Sequence, residues 1–331
     1  MIITRTPFRI SFFGGGTDYP AWYRSNSGAV LATTIDKYCY VSCRYLPPFF
    51  EHKHRLVYSK IENVKTVDEI VHPAVRAILT DMGCERGLEI HHDGDLPARS
   101  GLGSSSSFTV GLIHTLLALQ GRYVSKEYLA SEAIRMEQEV MREHVGSQDQ
   151  VSAAYGGFNV IEFTRDDTFI VNPMIVSKSR LDDLQSHLML FFTGLSRFAS
   201  EVAKSKIENF GKKERELLRM REMVTEAIMI LQNMDAPITE FGELLAEGWE
   251  HKRSLSDKVS TPEIDEIYDT GRKAGAIGGK LLGAGGGGFL LLFAQPEKQP
   301  AILKALKQLV HVPFRFESAG SRVVLYQPNG L

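Results

Sequence analysis

Three clusters of glycine, each set directly against a strand-forming or helix-forming run, constrain this chain more than any other feature. They are Gly14-Gly-Gly-Thr-Asp18, Leu96-Pro-Ala-Arg-Ser-Gly-Leu-Gly-Ser-Ser-Ser-Ser-Phe-Thr-Val-Gly111, and Gly283-Ala-Gly-Gly-Gly-Gly288. Glycine enters left-handed backbone without strain and lets another backbone or a ligand approach closely. Clusters at the ends of regular elements therefore mark tight turns against which something packs.

The runs between them give the fold class. Residues 1–13 and Ala29 to Tyr45 read as strands rich in β-branched and aromatic residues, the second closed by Pro47-Pro48. Thr66-Val-Asp-Glu69 has the form of a capping box and predicts a helix to about Met82. A short strand follows at Gly87 to His92, then a helix from the serine run to Gly121 and another from Ser125 to about Arg142. Gly156-Gly157 lead into further strands. From Arg197 onward the chain is helical and densely charged, with mixed signs that predict a solvated face. Thr261-Pro262 fits an N-cap with proline at the first helical position, and the chain ends helix, strand, strand. Strands first and helices mixed with strands afterwards predict an α+β fold. At 331 residues two lobes are expected, residues 1–185 and 186–331.

The middle cluster fits two readings. The Walker A loop fails for want of a lysine after the glycines, and the dinucleotide fingerprint fails because Ser106 stands where its third glycine belongs. What remains is a glycine turn feeding a helix N-terminus, where free N–H groups and the helix dipole favour an anion. No acid occurs between Asp95 and Glu127 to compete with one. The plainer alternative is serine N-capping after a tight turn. The last cluster matches G-x-G-x-x-G by letter, but Phe289-Leu-Leu-Leu-Phe293 behind it reads as a buried strand where the fingerprint requires a helix. Asp18, beside the first cluster, either caps a turn or binds polyol hydroxyls.

In order, the three clusters resemble the signature motifs of the GHMP small-molecule kinases. Thr6 to Asp18 resembles the first, Pro97 to Ser105 the second (Pro-x-x-x-Gly-Leu-Gly-Ser-Ser), and Lys280 to Phe289 the third. Within that superfamily, Arg9 to Pro20 and Gly146-Ser-Gln-Asp-Gln150 are most similar to the bacterial heptose 7-phosphate kinases, and the fucokinase domains share related motifs. The resemblance implies a two-lobe α+β fold, with an N-terminal lobe of the ribosomal-protein S5-like type and a ferredoxin-like C-terminal lobe. It implies transfer of phosphate from ATP, with Mg2+, to the anomeric hydroxyl of a small sugar or sugar phosphate. Asp149 then corresponds to the catalytic aspartate, and Arg9 would stabilise negative charge at the acceptor oxygen or on Asp149. Pro97, Gly101, Leu102, Gly103, Ser104, Ser105 and Ser106 would form the ATP-phosphate loop. Gly15, Gly16, Asp18, Gly285, Gly286 and Gly287 would shape the acceptor pocket. Ser105, with Ser104 as the alternative, and Glu137 would hold the metal; Glu139 lies some 200° round the helix from Glu137, so only one of the two can face the site, and which one is left open. Arg197, Arg99 and Lys280 are candidate anchors for a substrate phosphate.

Other classes fit less well. A formal net charge of −2 argues against nucleic acid or an anionic membrane as partner. The apolar runs are too short to span a bilayer, and Arg5 and Arg9 interrupt the N-terminal one, so a cytoplasmic protein is expected. Cys39, Cys43 and Cys84 read as reduced core residues. His91-His92-Asp93 in a strand points adjacent side chains to opposite faces, a poor metal site. A nicotinamide oxidoreductase lacks its strand–turn–helix setting. A fucokinase-like sugar 1-kinase and a catalytically silent ATP and sugar sensor remain alternatives. The presence of Arg9, Glu137 and Asp149 together speaks against silence. Oligomeric state is left open.

Overall fold

The opening β-branched run forms β1 (Ile2–Phe13), antiparallel to the long β2 (Gly28–Tyr45), with Ile2 opposite Cys43 and Phe13 opposite Leu31. The computed structural model describes residues 1–98, 100–195 and 199–328, with Ala199 and Ser200 as backbone alone. Around the central pair lie β3 (His54–Val57), β4 (Ile61–Val64), β5 (Leu88–Gly94), β6 (Phe158–Phe163) and β7 (Phe169–Pro173). β2 is long enough to serve two neighbours: Gly28–Thr33 pairs with β6 and Cys39–Tyr45 with β5. β3 runs parallel to β5, the other pairings in this sheet being antiparallel.

A second sheet begins at β8 (Leu188–Phe192) and continues with β9 (Gly278–Leu281), β10 (Phe289–Phe293) and β11 (Val310–His311), in the order β11-β8-β10-β9. β10 is buried throughout, as its unbroken apolar sequence requires. The chain then returns to the first sheet: β12 (Phe316–Glu317) pairs with β2 and β13 (Arg322–Tyr326) with β1. Mixed helices and two largely antiparallel sheets make this an α+β fold, as expected.

The two sheets are joined through aromatic packing at the end of β1. Phe12 and Phe13 meet the edge of Phe241 at centroid distances of 5.4 and 5.1 Å, and Phe241 in turn lies 6.2 Å from Phe293 of β10. Such edge-on pairs contribute about 0.5–1.5 kcal/mol each beyond the area they bury. The ammonium of Lys280 in β9 donates to the Phe12 carbonyl at 2.6 Å, a second tie across the same seam. The Gly14–Gly16 turn follows directly, so the seam fixes where that turn sits.

The helix Ser104–Leu119 lies on β1 and β2, almost wholly buried after its first two residues. Cys39 and Cys43 are buried free thiols and Cys84 is a partly buried one. The helix expected from Thr66 is shorter than the sequence pattern suggested. Val67–Glu69 makes one tight turn, and the helix proper is Pro73–Asp81, with the His72 ring accepting from the Val75 N–H. Pro73 explains the break: it suits a first helical turn and disfavours helical backbone in the residue before it. No helix among the described residues is long and apolar enough to cross a membrane.

Candidate active site

Arg9 sits in the buried half of β1, and its guanidinium organises the site. Nε and Nη2 donate to Oδ1 and Oδ2 of Asp149 at 2.7 and 2.8 Å, while Nη1 donates to the Gly101 carbonyl at 2.7 Å. Its backbone N–H donates to the Leu102 carbonyl at 3.0 Å. One side chain thereby fixes both the acid and the glycine turn, which only the planar fork of arginine can do. Arg9 is 3% exposed, whereas the Asp149 side chain keeps 25% of its surface. The carboxylate is thus the open end of the pair. It stands in the first turn of the helix Gln148–Tyr155, where the helix dipole favours negative charge.

The glycine turn delivers the chain to the N-terminus of Ser104–Leu119. Gly103 is the cap residue, left-handed at φ +74°, and no side chain caps the first turn. The serine-capping alternative is therefore not what the chain builds. A Cβ on Gly103 would lie 3.3 Å from Arg9 Cγ and 3.4 Å from Asp149, so the residue is glycine chiefly for its φ, with close packing on the Arg9–Asp149 pair beside it. The first turn carries no acid, Leu102 is fully buried, and Pro97 lies exposed at the approach. Ser104 is half-buried and Ser105 exposed at the mouth.

Glu137 lies opposite. The helix Lys126–Arg135 widens at Met136–Val140 into a π-type turn, the Met141 N–H donating to the Met136 carbonyl at 2.9 Å. Such widenings recur at functional positions. Glu137 is fully buried there and Glu139 exposed, so only the former meets the serine helix. The serine it meets is Ser106, whose hydroxyl donates to Glu137 Oε2 at 2.9 Å; Ser105, the residue expected from the motif, points to the surface. The reason is helical phase: one residue further on turns the side chain by about 100° towards the core. Gln150 Nε2 donates to the same oxygen, and Glu137 Oε1 makes no well-formed hydrogen bond, though the Thr109 hydroxyl lies close enough to the carboxylate to act on it. Burial pushes the Glu137 pKa up to about 7.

Asp18 is buried at the other side of Asp149. Its Oδ1 accepts from the Gly16 N–H at 2.8 Å and its Oδ2 from Gln148 Nε2 at 2.9 Å, and its carbonyl accepts from the Ser147 N–H at 2.8 Å. Burial, with the charge of Asp149 adding to it, raises its pKa. Gly15 lies against Ser11 and Gln148. The third cluster closes on the second backbone to backbone: a Cβ on Gly283 would stand 2.4 Å from Gly101 Cα, and the Phe289 N–H donates to the Ser100 carbonyl at 3.1 Å. Gly285 and Gly286 lie against Val259, whose carbonyl accepts from the Gly286 N–H at 2.9 Å, and Gly287 is left-handed beside them.

Of the candidate phosphate anchors, Lys280 is spent on the Phe12 carbonyl, while Arg99 and Arg197 lie outside the described residues. His91 pairs with Glu89 at 3.1 Å and His92 packs on the Phe108 ring. No group of three His, Cys, Asp or Glu side chains able to hold a metal occurs among the described residues. Sequence reasoning missed Gln148 and Gln150, which flank Asp149 and position the other two acids. It also missed Lys206, buried within a stretch expected to be solvated. A separate surface groove between the helices Glu214–Gln232 and Thr239–Ser254 is walled by mutually satisfied ion pairs, Arg219 with Glu226 and Glu247 among them.

The N-terminal domain of the GHMP kinases matches residues 69–157 and their C-terminal domain matches residues 233–311, together about half the chain. The chain belongs to the GHMP kinases. It is therefore a phosphotransferase with an alcohol group as acceptor. A D-glycero-alpha-D-manno-heptose 7-phosphate kinase of Campylobacter jejuni is 29% identical over 93% of this chain and 93% of that protein. A bifunctional fucokinase/GDP-fucose pyrophosphorylase of Arabidopsis thaliana is 26% identical over 90% of this chain, which spans 30% of that larger protein. The crystal structure of a D-glycero-D-manno-heptose 1-phosphate kinase from Bacteroides thetaiotaomicron superposes with a TM-score of 0.78 over 98% of both chains, at 23% identity. This likeness establishes the two-lobe GHMP kinase fold.

Proposed function

We propose that this GHMP kinase transfers the γ-phosphate of ATP to the anomeric hydroxyl of D-glycero-α-D-manno-heptose 7-phosphate, a step towards nucleotide-activated heptose. The observation that carries the reading is the Arg9–Asp149 pair held beside an uncapped, acid-free helix N-terminus. Similarity along almost the full length to the heptose 7-phosphate kinase supports the choice of acceptor. The same reading divides the chain into an N-terminal lobe, 1–185, and a C-terminal lobe, 186–331. The start of the second sheet at Leu188 supports that division, with β12 and β13 crossing back.

Phosphoryl transfer asks a protein for positioning and charge neutralisation more than for covalent chemistry. The first-turn N–H groups after Gly103, with Ser104, Ser105 and Ser106, take the phosphates of ATP, and Gly101 and Leu102 set the turn. Asp149 accepts the proton of the acceptor hydroxyl or orients it. Arg9 holds that carboxylate in place and offsets the charge that gathers at the acceptor oxygen. Asp18 binds acceptor hydroxyls, with Gly15 and Gly16 allowing approach and Gly285–Gly287 shaping the wall. A divalent cation fits the remaining donors, because Glu137 has a buried carboxylate oxygen that makes no well-formed hydrogen bond, with the Ser106 and Thr109 hydroxyls on the same carboxylate and Ser105 at the rim. Bound there, Mg2+ would neutralise phosphate charge.

The test is ADP release with ATP and a panel of acceptors: heptose 7-phosphate, free heptose, fucose and galactose. Heptose 7-phosphate is expected to give the highest kcat/KM. Fucose as the best acceptor would favour the second reading, which the similarity to fucokinases supports. Nucleotide binding without turnover on any acceptor would leave a sensor.

A further inference from the structure

Three lysines lie almost wholly buried around the Arg9–Asp149 pair: Lys206, Lys252 and Lys280. Two are spent on backbone. Lys252 Nζ donates to the carbonyls of Leu281 and Gly283 at 2.6 and 2.7 Å, and Lys280 Nζ to that of Phe12 at 2.6 Å. Lys206, on the helix Ala199–Asn209, has among the described residues only the Tyr19 hydroxyl at 3.5 Å, with its Nζ 5.2 Å from the centre of that ring. An ammonium carries three donors. A buried one left short of partners is strongly destabilising, so its complement is to be sought outside the chain. Tyr19 adjoins Asp18, and the charges of Asp18 and Asp149 both act on Lys206.

We propose that Lys206 binds the acceptor, its ammonium donating to one hydroxyl of a carbohydrate while Asp18 accepts from the neighbouring one. The assignment rests on reading the site as that of a carbohydrate kinase. Each hydroxyl of a vicinal diol both donates and accepts, so a fixed ammonium and a fixed carboxylate side by side recognise the pair. Each Asp18 oxygen already accepts one hydrogen bond and has a lone pair to spare.

Charge balance separates a hydroxyl from a phosphate at this position. Among the described residues Asp18 and Asp149 face two available cations, Arg9 and Lys206. Burial, with the charge of Arg9 adding to it, pulls Lys280 down to about 7, and burial draws Lys252 well below the ordinary lysine range. A phosphate dianion at Lys206 would stand beside two carboxylates with no surplus cation among the described residues to offset it. A phosphate carried by the acceptor is therefore held elsewhere, and Lys206 reads the sugar.

Among the described residues the groups facing Lys206 are Asp18 and Tyr19 after β1, Asp149 in the helix Gln148–Tyr155, Lys252 in the helix Thr239–Ser254 and Lys280 in β9, with Arg9 paired to Asp149 behind them. Burial draws Lys206 down to about 8, against the pull of the two carboxylates. The charge of the donor is then lost as pH rises through about 8, leaving a neutral amine that hydrogen-bonds the hydroxyl more weakly.

Steady-state kinetics of the full chain decide it, using ATP with free and phosphorylated sugars. Lys206→Met is expected to raise the acceptor KM by roughly tenfold to a hundredfold, as loss of a charged hydrogen bond should. kcat and the KM for ATP should stay within a few-fold. Lys206→Arg should restore most of the affinity. It should also carry to higher pH the alkaline fall in kcat/KM expected of the wild type near pH 8. An unchanged acceptor KM in Lys206→Met overturns the proposal, as does an equal rise in the KM for ATP. A loss confined to phosphorylated acceptors overturns the hydroxyl assignment. Should Lys206→Met fail to fold, coincident alkaline limbs for the wild type and Lys206→Arg overturn it alone. Wild-type protein that turns over no carbohydrate overturns the kinase reading itself, a result seen before any variant is made.

Discussion

Arg9 and Asp149, 140 positions apart, form two parallel hydrogen bonds of 2.7 and 2.8 Å, with the arginine sealed and the carboxylate open. The pair predicts different losses for its two members. Asp149→Asn keeps the shape but cannot accept a proton, so kcat should fall by about a hundredfold to ten-thousandfold while ATP still binds. Arg9→Lys keeps the charge but loses the fork and the Gly101 contact. Its kcat should fall about tenfold to a hundredfold, with weaker ATP binding because the glycine turn loosens. Single-turnover rates and calorimetric ATP affinities check both. Near-normal turnover in Asp149→Asn would sink the role given to that carboxylate.

Glu137 and Ser106 give a prediction about the metal. Glu137→Gln removes the buried charge whose second oxygen suits a hard cation, so half-maximal activity should need at least about tenfold more Mg2+. Ser106→Ala should shift that requirement more than Ser105→Ala, because only the Ser106 hydroxyl reaches Glu137. Titrating Mg2+ at fixed ATP measures all three. A larger shift in Ser105→Ala would return the metal to the serine first expected from the motif.

Much of this site was legible because glycine, proline and charge act locally. Gly103 and Gly283 announce turns through backbone conformations that other residues resist, and Phe289 to Phe293 shows by its unbroken apolar run that no dinucleotide helix follows. Three features were hidden for physical reasons. The π-type turn at Met136–Val140 shifts helical phase without any residue that demands it. Ser106 rather than Ser105 faces Glu137 because phase is set by packing of the whole helix. Lys206 looks like its charged neighbours in sequence, and its burial comes from the loop after β1, almost 190 residues earlier, closing over it. The break at Pro73, by contrast, was written in the sequence, since proline opens helices more readily than it continues them.

The contact between Gly101 and Gly283 predicts a loss of stability that a lone left-handed glycine does not. Gly283→Ala puts a Cβ 2.4 Å from Gly101 Cα at φ +75°, so strain and overlap add. About 2–5 kcal/mol should be lost. Gly83 has a similar φ of +60° with nothing within 4 Å, so Gly83→Ala should cost only the strain, about 1 kcal/mol. Urea midpoints at constant slope compare the two. ATP affinity should fall only in Gly283→Ala, because the loop it displaces is the one beside the phosphates.

Lys280 makes stability depend on pH in a stated direction. Its folded pKa of about 7 lies below the ordinary value of 10.5, so between those limits the unfolded chain binds more protons than the folded one. Lys280 alone therefore contributes a rise in stability from pH 7 towards 9, roughly 1 kcal/mol per pH unit at most, opposed near pH 7 by Glu137, whose raised pKa of about 7 makes the fold the better proton binder there. Lys206, drawn down to about 8, adds a smaller rise over the upper part of that range. Above about pH 9 the buried thiols of Cys39 and Cys43, whose burial keeps them protonated in the fold, work the other way as unfolded thiols ionise. Lys280→Met removes the penalty below pH 7 but also the tie to the Phe12 carbonyl, so its stability should vary less across pH 7–9 than that of the wild type. Urea unfolding in half-unit pH steps measures the slope. Because Glu137 and Lys252 also titrate differently in the fold, the difference between wild type and Lys280→Met decides it: equal slopes between pH 7 and 9 would mean that Lys280 keeps its proton in the fold, held by carbonyl oxygen strongly enough to outweigh burial.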